Sequence, residues 1–371
     1  MFINQSRMAY LMHVDWNWIK QRPHFLYEEL TKHYCVDLIY INKLYDKQKK
    51  KINNSRNVYS DSTVDTLNKL PLSGHSGFLK RIERLINRKS INLLSRYEYI
   101  WITSPIILEF VSLDLFPGKT VIYDCMDDFL GFYNNPKEIE RFRSLEITLV
   151  QRADIVFSSS TYLKNKMVSS YQDYLRASPI VINNGISSSL CEQRSVAAIN
   201  KQVSKKNKLE LIYIGTIDKW IDFELIINIL NQIPNVVFTM IGPVNTKIPS
   251  HSRLYFVGVV EHNKLANYAN EADALVMPFK LNELTRAVDP VKIYEYIHFN
   301  KPIFAINYEE MHKFQPFVSL YSDEAELYRL VMHLQSGSFK MYSEDEAQKF
   351  LSKSTWEVRC KQIVDVLKGA Q

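Results

Sequence analysis

Residues 278–302 read PFKLNELTRAVDPVKIYEYIHFNKP, and they predict one unit of a parallel α/β sheet. The apolar run at 274–279 predicts a strand, the polar run at 280–288 predicts a loop, and the apolar residues after the stretch predict the next strand. Between them we expect a helix with Asp289 as its N-cap and Pro290 as its first residue, because the missing N–H of Pro would have no partner there. The loop and the helix start then lie at the carboxyl end of a strand, where open parallel sheets bind ligands.

The same stretch carries groups that suit a nucleotide. A helix N-terminus offers free N–H groups to a phosphate, and Arg286 and Lys292 add positive charge. Glu295 follows Lys292 by about one turn and could accept hydrogen bonds from a ribose diol. The alternative is an ordinary strand–helix unit with a solvated polar loop.

The length and composition predict a globular protein with two domains. The chain has 371 residues, whereas a single core rarely grows past about 250–300 residues. The four cysteines are far apart and show neither zinc-ligand spacing nor a disulfide framework, so we expect a reducing compartment and no metal site. We see no secretory leader and no apolar run of the ~18–20 residues that a membrane span needs, which predicts a cytoplasmic protein.

The net charge of +6 is carried entirely by the first half, because residues 1–186 contain 25 Lys and Arg against 19 Asp and Glu. This surplus is too small to predict nucleic-acid binding. It favours an anionic acceptor, or peripheral contact with an anionic membrane at the inner face of the plasma membrane. The basic run at 43–56 and the polar residues up to Gly77 predict a solvated loop. Apolar periodicity at 78–97 predicts an amphipathic helix that either lies on a membrane or packs on the sheet as an outer helix.

The loop after the first predicted strand is rich in aromatic and polar side chains. No glycine occurs before residue 71, so the glycine fingerprint of a dinucleotide site is missing here. Two tryptophans followed by Gln, Arg and His at a strand end instead predict a platform for a sugar or an anionic group. The alternative is that the tryptophans pack the domain. The residues predicted to bind an acceptor are Trp16, Gln21, Arg22 and His24.

Three carboxylates, Asp124, Asp127 and Asp128, follow the strand predicted at 120–123. Close like charges raise the pKa of one member, which suits a general base or an electrostatic role in catalysis. The same carboxylates could bind a divalent cation, or an Asp could cap the next helix. We predict that this cluster is catalytic.

The second half repeats short apolar strands alternating with helices, which predicts parallel sheets in both halves. Gly215, Gly242 and Gly258 each end a predicted strand and would permit close approach of a ligand to the backbone. The run Asn183-Asn184-Gly185 predicts a domain junction, and the polar residues 187–208 predict a linker. We therefore expect domains at 1–186 and 187–350, with a C-terminal helix at 351–371 that returns to the first domain.

The order of these features resembles GT-B glycosyltransferases of the retaining family-4 type. The resemblance covers roughly residues 150–370 and includes the Asn-Asn-Gly junction, the three strand-end glycines, and Glu295 before Lys301-Pro302. The first half, with Gln21-Arg22-Pro23-His24 and the Asp124–Asp128 run, is similar to the bacterial subgroup that contains teichuronic-acid and capsule transferases. The resemblance implies a GT-B fold, with two Rossmann-like domains whose parallel sheets face an interdomain cleft.

The resemblance also implies a nucleotide-sugar donor, UDP- or GDP-linked, bound by the second domain, and no other cofactor. In this family a pair of glutamates lies eight residues apart; Glu295 matches the second, but Ala287 stands in place of the first. Only Lys219 follows Gly215 where the family has a basic pair. The predicted donor site comprises Gly215, Thr216, Gly242, Gly258, Thr285, Arg286, Asp289, Pro290, Val291, Lys292 and Glu295.

We therefore predict a glycosyltransferase that moves a sugar to a cytoplasmic or lipid-linked glycan acceptor in surface polysaccharide biosynthesis. The resemblance implies retention of configuration without an obligatory metal. Two alternatives remain open. One is a GT-B-fold epimerase of sugar nucleotides, and the other is an inactive transferase-like partner subunit, which the alanine at Ala287 would suit.

Overall fold

The computed structural model describes residues 6–18, 20–44, 64–74, 76–188, 190 and 208–369. The chain divides into two compact units, the first formed by Met1–Asn183 with Trp356–Gln371 and the second by Asn184–Thr355. Each unit contains one parallel sheet, so the predicted α/β class is confirmed. Most of the predicted linker at 187–208, and residues 45–56 of the predicted basic loop, lie outside the described residues.

The first unit is built on a seven-stranded sheet. Its strands in chain order are β1 (Arg7–Met12), β2 (Cys35–Lys43), β3 (Val64–Lys69), β4 (Tyr99–Ile102), β5 (Thr120–Cys125), β6 (Ile155–Ser158) and β7 (Ile180–Val181). They lie in the order β3-β2-β1-β4-β5-β6-β7, and every pair is parallel. Because the direction of strand addition reverses between β1 and β4, the carboxyl ends of these two strands form the switch point at which such sheets bind ligands.

The helices of the first unit cover this sheet. They are α1 (Arg22–Leu30), α2 (Gly77–Leu93), α3 (Pro136–Arg152), α4 (Thr161–Tyr171) and, from the C-terminus, α11 (Trp356–Gly369). The strands read as apolar runs because both faces of the sheet are covered; all four residues of β4 are buried. Helix α11 packs against α1, where the rings of Phe25 and Trp356 stack with centroids 5.0 Å apart.

Strand β3 lies where the sequence predicted a solvated loop, and that part of the prediction is wrong. Its residues are mostly polar, so it carries no strand-like apolar pattern. The strand forms because β2 pairs with one edge and the polar side chains of α2 bind the other. Asn87 accepts from the N–H of Asn68 at 2.7 Å and donates to its carbonyl at 3.0 Å, and Glu83 accepts from the N–H of Leu70 at 2.8 Å. Helix α2 is therefore an edge cover, and its buried residues are polar.

The second unit contains a six-stranded parallel sheet in the order β10-β9-β8-β11-β12-β13. Its strands are β8 (Leu209–Ile214), β9 (Val236–Ile241), β10 (Leu254–Gly258), β11 (Ala274–Met277), β12 (Ile303–Ile306) and β13 (Ser319–Tyr321). Its helices are α5 (Phe223–Gln232), α6 (His262–Glu271), α7 (Glu283–Arg286), α8 (Val291–His298), α9 (Glu324–Gln335) and α10 (Glu344–Ser352). A continuous apolar core joins the strands to α5, α8 and α9. The switch point of this sheet lies between β8 and β11.

Candidate functional site

Glycine backbone forms the carboxyl edge of the second sheet. Gly215 follows β8, and Gly242 follows β9 with φ +144°. A Cβ atom at Gly242 would lie 2.0 Å from the carbonyl oxygen of Gly215, so only glycine allows these two strand ends to approach so closely. Gly258 at the end of β10 has φ +83°, and its carbonyl accepts from the N–H of Gly242 at 2.8 Å. Thr216, directly after Gly215, is half-buried at this edge.

Helix α8 begins beside this edge, at the end of the loop that follows β11. Its N-cap is Pro290, and no side chain caps it in the described part of the chain. The first N–H groups of the helix therefore remain available to an anion. Val291 is its first residue, and Lys292 binds Glu295 at 2.8 Å on the same helix face. Glu295 is buried, so its carboxylate is held in a fixed position next to a cation.

The prediction that Asp289 caps this helix is wrong. Its buried carboxylate accepts from the N–H of Asn184 at 2.6 Å and forms an ion pair with Lys313 at 2.9 Å. The hydroxyl of Tyr294 lies 3.3 Å from the same carboxylate. Asp289 therefore links Asn184, at the start of the second unit, to the N-terminal end of α8. Because Asn184 and Lys313 are distant from Asp289 in sequence, a local pattern could not show these partners. Since Asp289 does not cap α8, it does not compete with a phosphate for the first N–H groups of that helix.

The loop before α8 contains the one-turn helix α7 rather than the irregular loop that we expected. Asn282 and Thr285 cap it reciprocally, and the hydroxyl of the buried Thr285 donates to the carbonyl of Lys280 at 2.7 Å. The Arg286 side chain is 43% exposed and lies 3.8 Å from Glu309. Ala287, which stands in place of the first family glutamate, is buried. The Arg286 side chain can reach a ligand, whereas the Thr285 hydroxyl is engaged in a hydrogen bond that stabilises the loop.

In the first unit the three predicted catalytic carboxylates have three different environments. Asp124 is fully buried and binds the guanidinium of Arg22, with Nη2 to Oδ1 at 2.8 Å. Asp128 binds Lys166 at 2.8 Å. The pKa of Asp127 is raised to about 7, chiefly by burial; the charge of Arg22 opposes this rise, and the charges of Asp124 and Asp128 contribute to it. Asp127 therefore has a pKa that suits proton transfer near neutral pH.

The predicted acceptor residues lie mainly in the core of the first unit. Arg22 is 2% exposed, and its Nη1 donates to the carbonyl of Ile182 at 2.7 Å. His24 is buried, and its Nδ1 accepts from the N–H of Gln21 at 3.2 Å, which caps α1. Trp16 packs against His24 and Tyr27 with ring centroids 5.4 and 5.2 Å away. Trp16 therefore packs the domain, which was the alternative to a ligand platform. Among the four predicted acceptor residues, Gln21 is half-buried rather than buried.

A cavity that sequence reasoning did not identify lies at the carboxyl edge of the first sheet. Its volume is about 410 Å³. Strand ends supply His13, Lys43 and Lys69, and Tyr133 and Arg141 also line the cavity. The surplus of basic residues in the first half indicated an anionic acceptor or an anionic membrane. It could not locate the site, because the cations that line this cavity come from separate elements of the fold.

Within the described ranges, no helix is long and apolar enough to cross a membrane. Among the same residues, no group of three or more His, Cys, Asp or Glu side chains is arranged to hold a metal ion.

Comparison with known proteins gives one match in sequence. No protein-family model matches the chain. The chain is similar to "Putative teichuronic acid biosynthesis glycosyltransferase TuaH" of Bacillus subtilis (strain 168), with 27% identity over 224 residues. The alignment covers 56% of this chain and 55% of that protein, so the chain spans about half the length of the curated relative that it matches.

The structural similarity extends over nearly the whole chain. Sucrose-phosphate synthase from Thermosynechococcus elongatus matches with a TM-score of 0.70 and 14% identity, covering 98% of this chain and 99% of that chain. HepE of Anabaena in complex with UDP and glucose matches with a TM-score of 0.68 and 15% identity, covering 98% and 100%. Its complex with UDP-glucose matches with a TM-score of 0.67 and 14% identity, covering 98% and 99%. The chain therefore has the fold of the GT-B glycosyltransferases, as the resemblance implied.

Proposed function

We propose that this chain is a glycosyltransferase that moves a sugar from a nucleoside-diphosphate sugar to a glycan acceptor in surface polysaccharide biosynthesis. The observation that carries the proposal is the uncapped start of α8, with Lys292 and Glu295, beside the glycine edge of the second sheet. The name of the B. subtilis relative supports the polysaccharide role. The UDP-glucose complex of HepE supports UDP as the nucleotide.

The donor half of the reaction needs stabilisation of negative charge. When the glycosidic bond breaks, charge develops on the departing diphosphate, and fixed N–H dipoles and cations lower the energy of that transition state. In our proposal the N–H groups at Val291 and Lys292 bind the diphosphate, with Lys292 and Arg286 as cations. Glu295 accepts hydrogen bonds from the ribose hydroxyls, and the backbone at Gly215, Thr216 and Gly242 lies along the nucleotide.

The acceptor half needs a group that orients or deprotonates the attacking hydroxyl. We assign this role to Asp127, because its pKa of about 7 lets it accept a proton at neutral pH. Asp124 and Asp128 have positioning roles, since each is engaged in an ion pair.

We further propose that the transfer retains the sugar's anomeric configuration, to be tested by NMR of the product. We also propose that activity survives chelation of divalent cations.

The donor assignment is tested by titration calorimetry with UDP and GDP. We expect the double variant Lys292→Ala, Glu295→Ala to weaken UDP binding at least about a hundredfold, because it removes a charge-assisted contact and the ribose acceptor. The matched control is Glu261→Ala, Lys264→Ala, an exposed pair in the same unit with the same spacing and a 3.0 Å separation. The control should bind UDP as the wild type does.

Unchanged UDP affinity in the site variant would overturn the donor assignment. Absence of nucleotide binding in the wild type, with co-purification of a second transferase, would favour the inactive partner subunit that Ala287 suggests. Conversion of the sugar nucleotide without any acceptor would favour the epimerase.

We also propose that α2 mediates peripheral contact with an anionic membrane. Phe78 and Leu85 on this helix are 72% and 68% exposed, and the exposed Arg81, Arg84 and Arg88 lie among them. Apolar side chains flanked by cations are typical of helices that lie on a membrane surface. Phe78→Ser with Leu85→Ser should abolish co-sedimentation with phosphatidylglycerol vesicles, whereas Ile180→Ser, exposed elsewhere in the unit, should not. Equal sedimentation of all three proteins would contradict the proposal.

A further inference from the structure

The cavity of about 410 Å³ in the first unit lies at the sheet edge that contains the switch point. His13 directly follows β1, Lys43 ends β2 and Lys69 ends β3, so three neighbouring strands direct polar groups to one place. The volume falls within the ~300–1,000 Å³ range of small-molecule sites. None of these residues belongs to the acceptor set predicted from the sequence, whose members are largely buried.

The cavity has more cations than carboxylates to neutralise them. Lys69 and Arg141 share the single carboxylate of Glu109, which is buried; Arg141 lies 3.4 Å from it, and Lys69 forms a hydrogen-bonded ion pair with it. Lys43 is exposed at the cavity and Glu138 also lines it. Among the described residues, three cations against two carboxylates leave a surplus of one positive charge.

Arg141 also has unused hydrogen-bonding capacity. One of its terminal nitrogens donates to the carbonyl of Gly74 at 3.2 Å. Its Nε is buried and has no hydrogen-bond partner within the described part of the chain. The Arg141 side chain is 33% exposed, so its terminal nitrogens, rather than the buried Nε, are the donors that an oxyanion in the cavity could reach.

Aromatic side chains also line the cavity. The rings of Phe129 and Tyr133 pack with centroids 5.4 Å apart, and Tyr133 lies 4.4 Å from Phe142. Flat apolar surface with a hydroxyl at its edge suits the apolar face of a sugar ring. The cavity thus offers both aromatic surface and cations to the same ligand.

His13 adds a polar ring to the cavity. Its Nδ1 lies 2.8 Å from the Thr103 hydroxyl, which also lies 3.3 Å from the carbonyl of Leu11. This contact engages Nδ1 and leaves Nε2 as the ring nitrogen that can form a hydrogen bond with a sugar hydroxyl. Burial and the charge of Lys43 lower the pKa of His13 to about 4, which keeps the ring neutral.

We propose that this cavity binds the acceptor and selects for an anionic sugar, with Lys43, Lys69 and Arg141 contacting a phosphate or carboxylate group and Tyr133 contacting the ring. The identification of the ligand as the acceptor rests on the proposed function. The charge selection rests on the cavity alone.

The test compares three sugars that differ only at C6: glucose, glucuronate and glucose 6-phosphate, titrated into the full chain at millimolar concentrations. We expect the charged sugars to bind at least about tenfold more tightly than glucose, because each can form charge-assisted hydrogen bonds. The tighter of the two charged sugars identifies the group as carboxylate or phosphate. Lys43→Ala and Arg141→Gln should each reduce the preference to about twofold or less.

Lys137→Ala is the matched control, because Lys137 is exposed on the same helix as Arg141 and does not line the cavity. It should keep the preference. Since Lys43 is exposed, its variant tests the proposal even if Arg141→Gln fails to fold. Equal binding of all three sugars, no binding of any, or an unchanged preference in Lys43→Ala would overturn the inference.

A parallel UDP titration separates this inference from the proposed function. Loss of UDP binding with intact charge selection would remove the transferase assignment and leave an anionic-sugar site. Intact UDP binding without charge selection would remove the inference and leave the donor assignment.

Discussion

At the scale of single residues, the run from Asp124 to Asp128 shows how strongly the surroundings set the chemistry of identical groups. Asp124 and Asp128 each have a cationic partner, Arg22 and Lys166 respectively. Asp127 is held near two other carboxylates, and its pKa of about 7 is well above the usual 3.8. The cluster that the sequence could only identify as a group therefore contains one member with the protonation behaviour of a base.

We expect Asp127→Asn to slow catalysis strongly and to stabilise the fold. The folded protein holds this proton more tightly than the unfolded chain does, so stability from this group is lost as the pH rises from about 4 to about 7. At about pH 8 the variant should therefore be more stable than the wild type by about 1–2 kcal/mol, with a smaller difference at about pH 5. Its transfer rate should fall by about 10²–10⁴-fold.

Thermal unfolding across this pH range measures the stability effect. Asp114→Asn is the control, because the Asp114 side chain is 83% exposed in the same unit. A difference in stability that does not change with pH would contradict the assigned environment, and full activity in Asp127→Asn would remove its role in catalysis.

At the scale of elements, the features that could be predicted from the sequence are those that short local patterns of residues determine. The apolar strands of both sheets and the strand-end positions of Gly215 and Gly242 follow from runs of a few residues. The partners of Asp289 and Arg22 could not be predicted, because Lys313 and Asp124 are brought to them by the fold. Arg22 and Asp124 are 102 positions apart. The cavity in the first unit was missed for the same reason, since its cations come from β2, β3 and α3.

Strand β3 is the clearest case of an element made by its surroundings, and its dependence on α2 can be tested. Asn87→Leu should destabilise the protein by about 2–4 kcal/mol, because it leaves the N–H and the carbonyl of Asn68 without partners at a buried edge. The loss should appear in denaturant unfolding and as faster hydrogen exchange at the Asn68 amide. Asn92→Leu, exposed on the same helix, is the control. Equal effects of the two substitutions would show that α2 does not hold this edge.

At the scale of the whole molecule, the division of the chain does not follow its linear order. The second unit is one continuous segment, whereas the first is completed by Trp356–Gln371 from the C-terminus. The sequence predicted domain boundaries after residues 186 and 350 and a last helix that returns to the first domain, and the two compact units divide after Asn183 and after Thr355. Sequence periodicity shows that a helix is present at the C-terminus, but the unit that it completes depends on contacts with α1.

This division predicts that a change in the last helix affects the first unit and not nucleotide binding. Trp356 is buried and stacks on Phe25, so Trp356→Ala should cost about 3–5 kcal/mol in the free energy of unfolding. Since the donor groups belong to Asn184–Thr355, the UDP affinity of the folded variant should stay within about twofold of the wild type. Denaturant unfolding and UDP calorimetry on the same preparations measure both quantities.

Val364→Ala gives a second, smaller truncation in the same helix, and the two losses of stability should scale with the side-chain volume removed. A fall in UDP affinity that follows the loss of stability would mean that the last helix supports the donor site, and the two units would then have to be treated as one energetic unit.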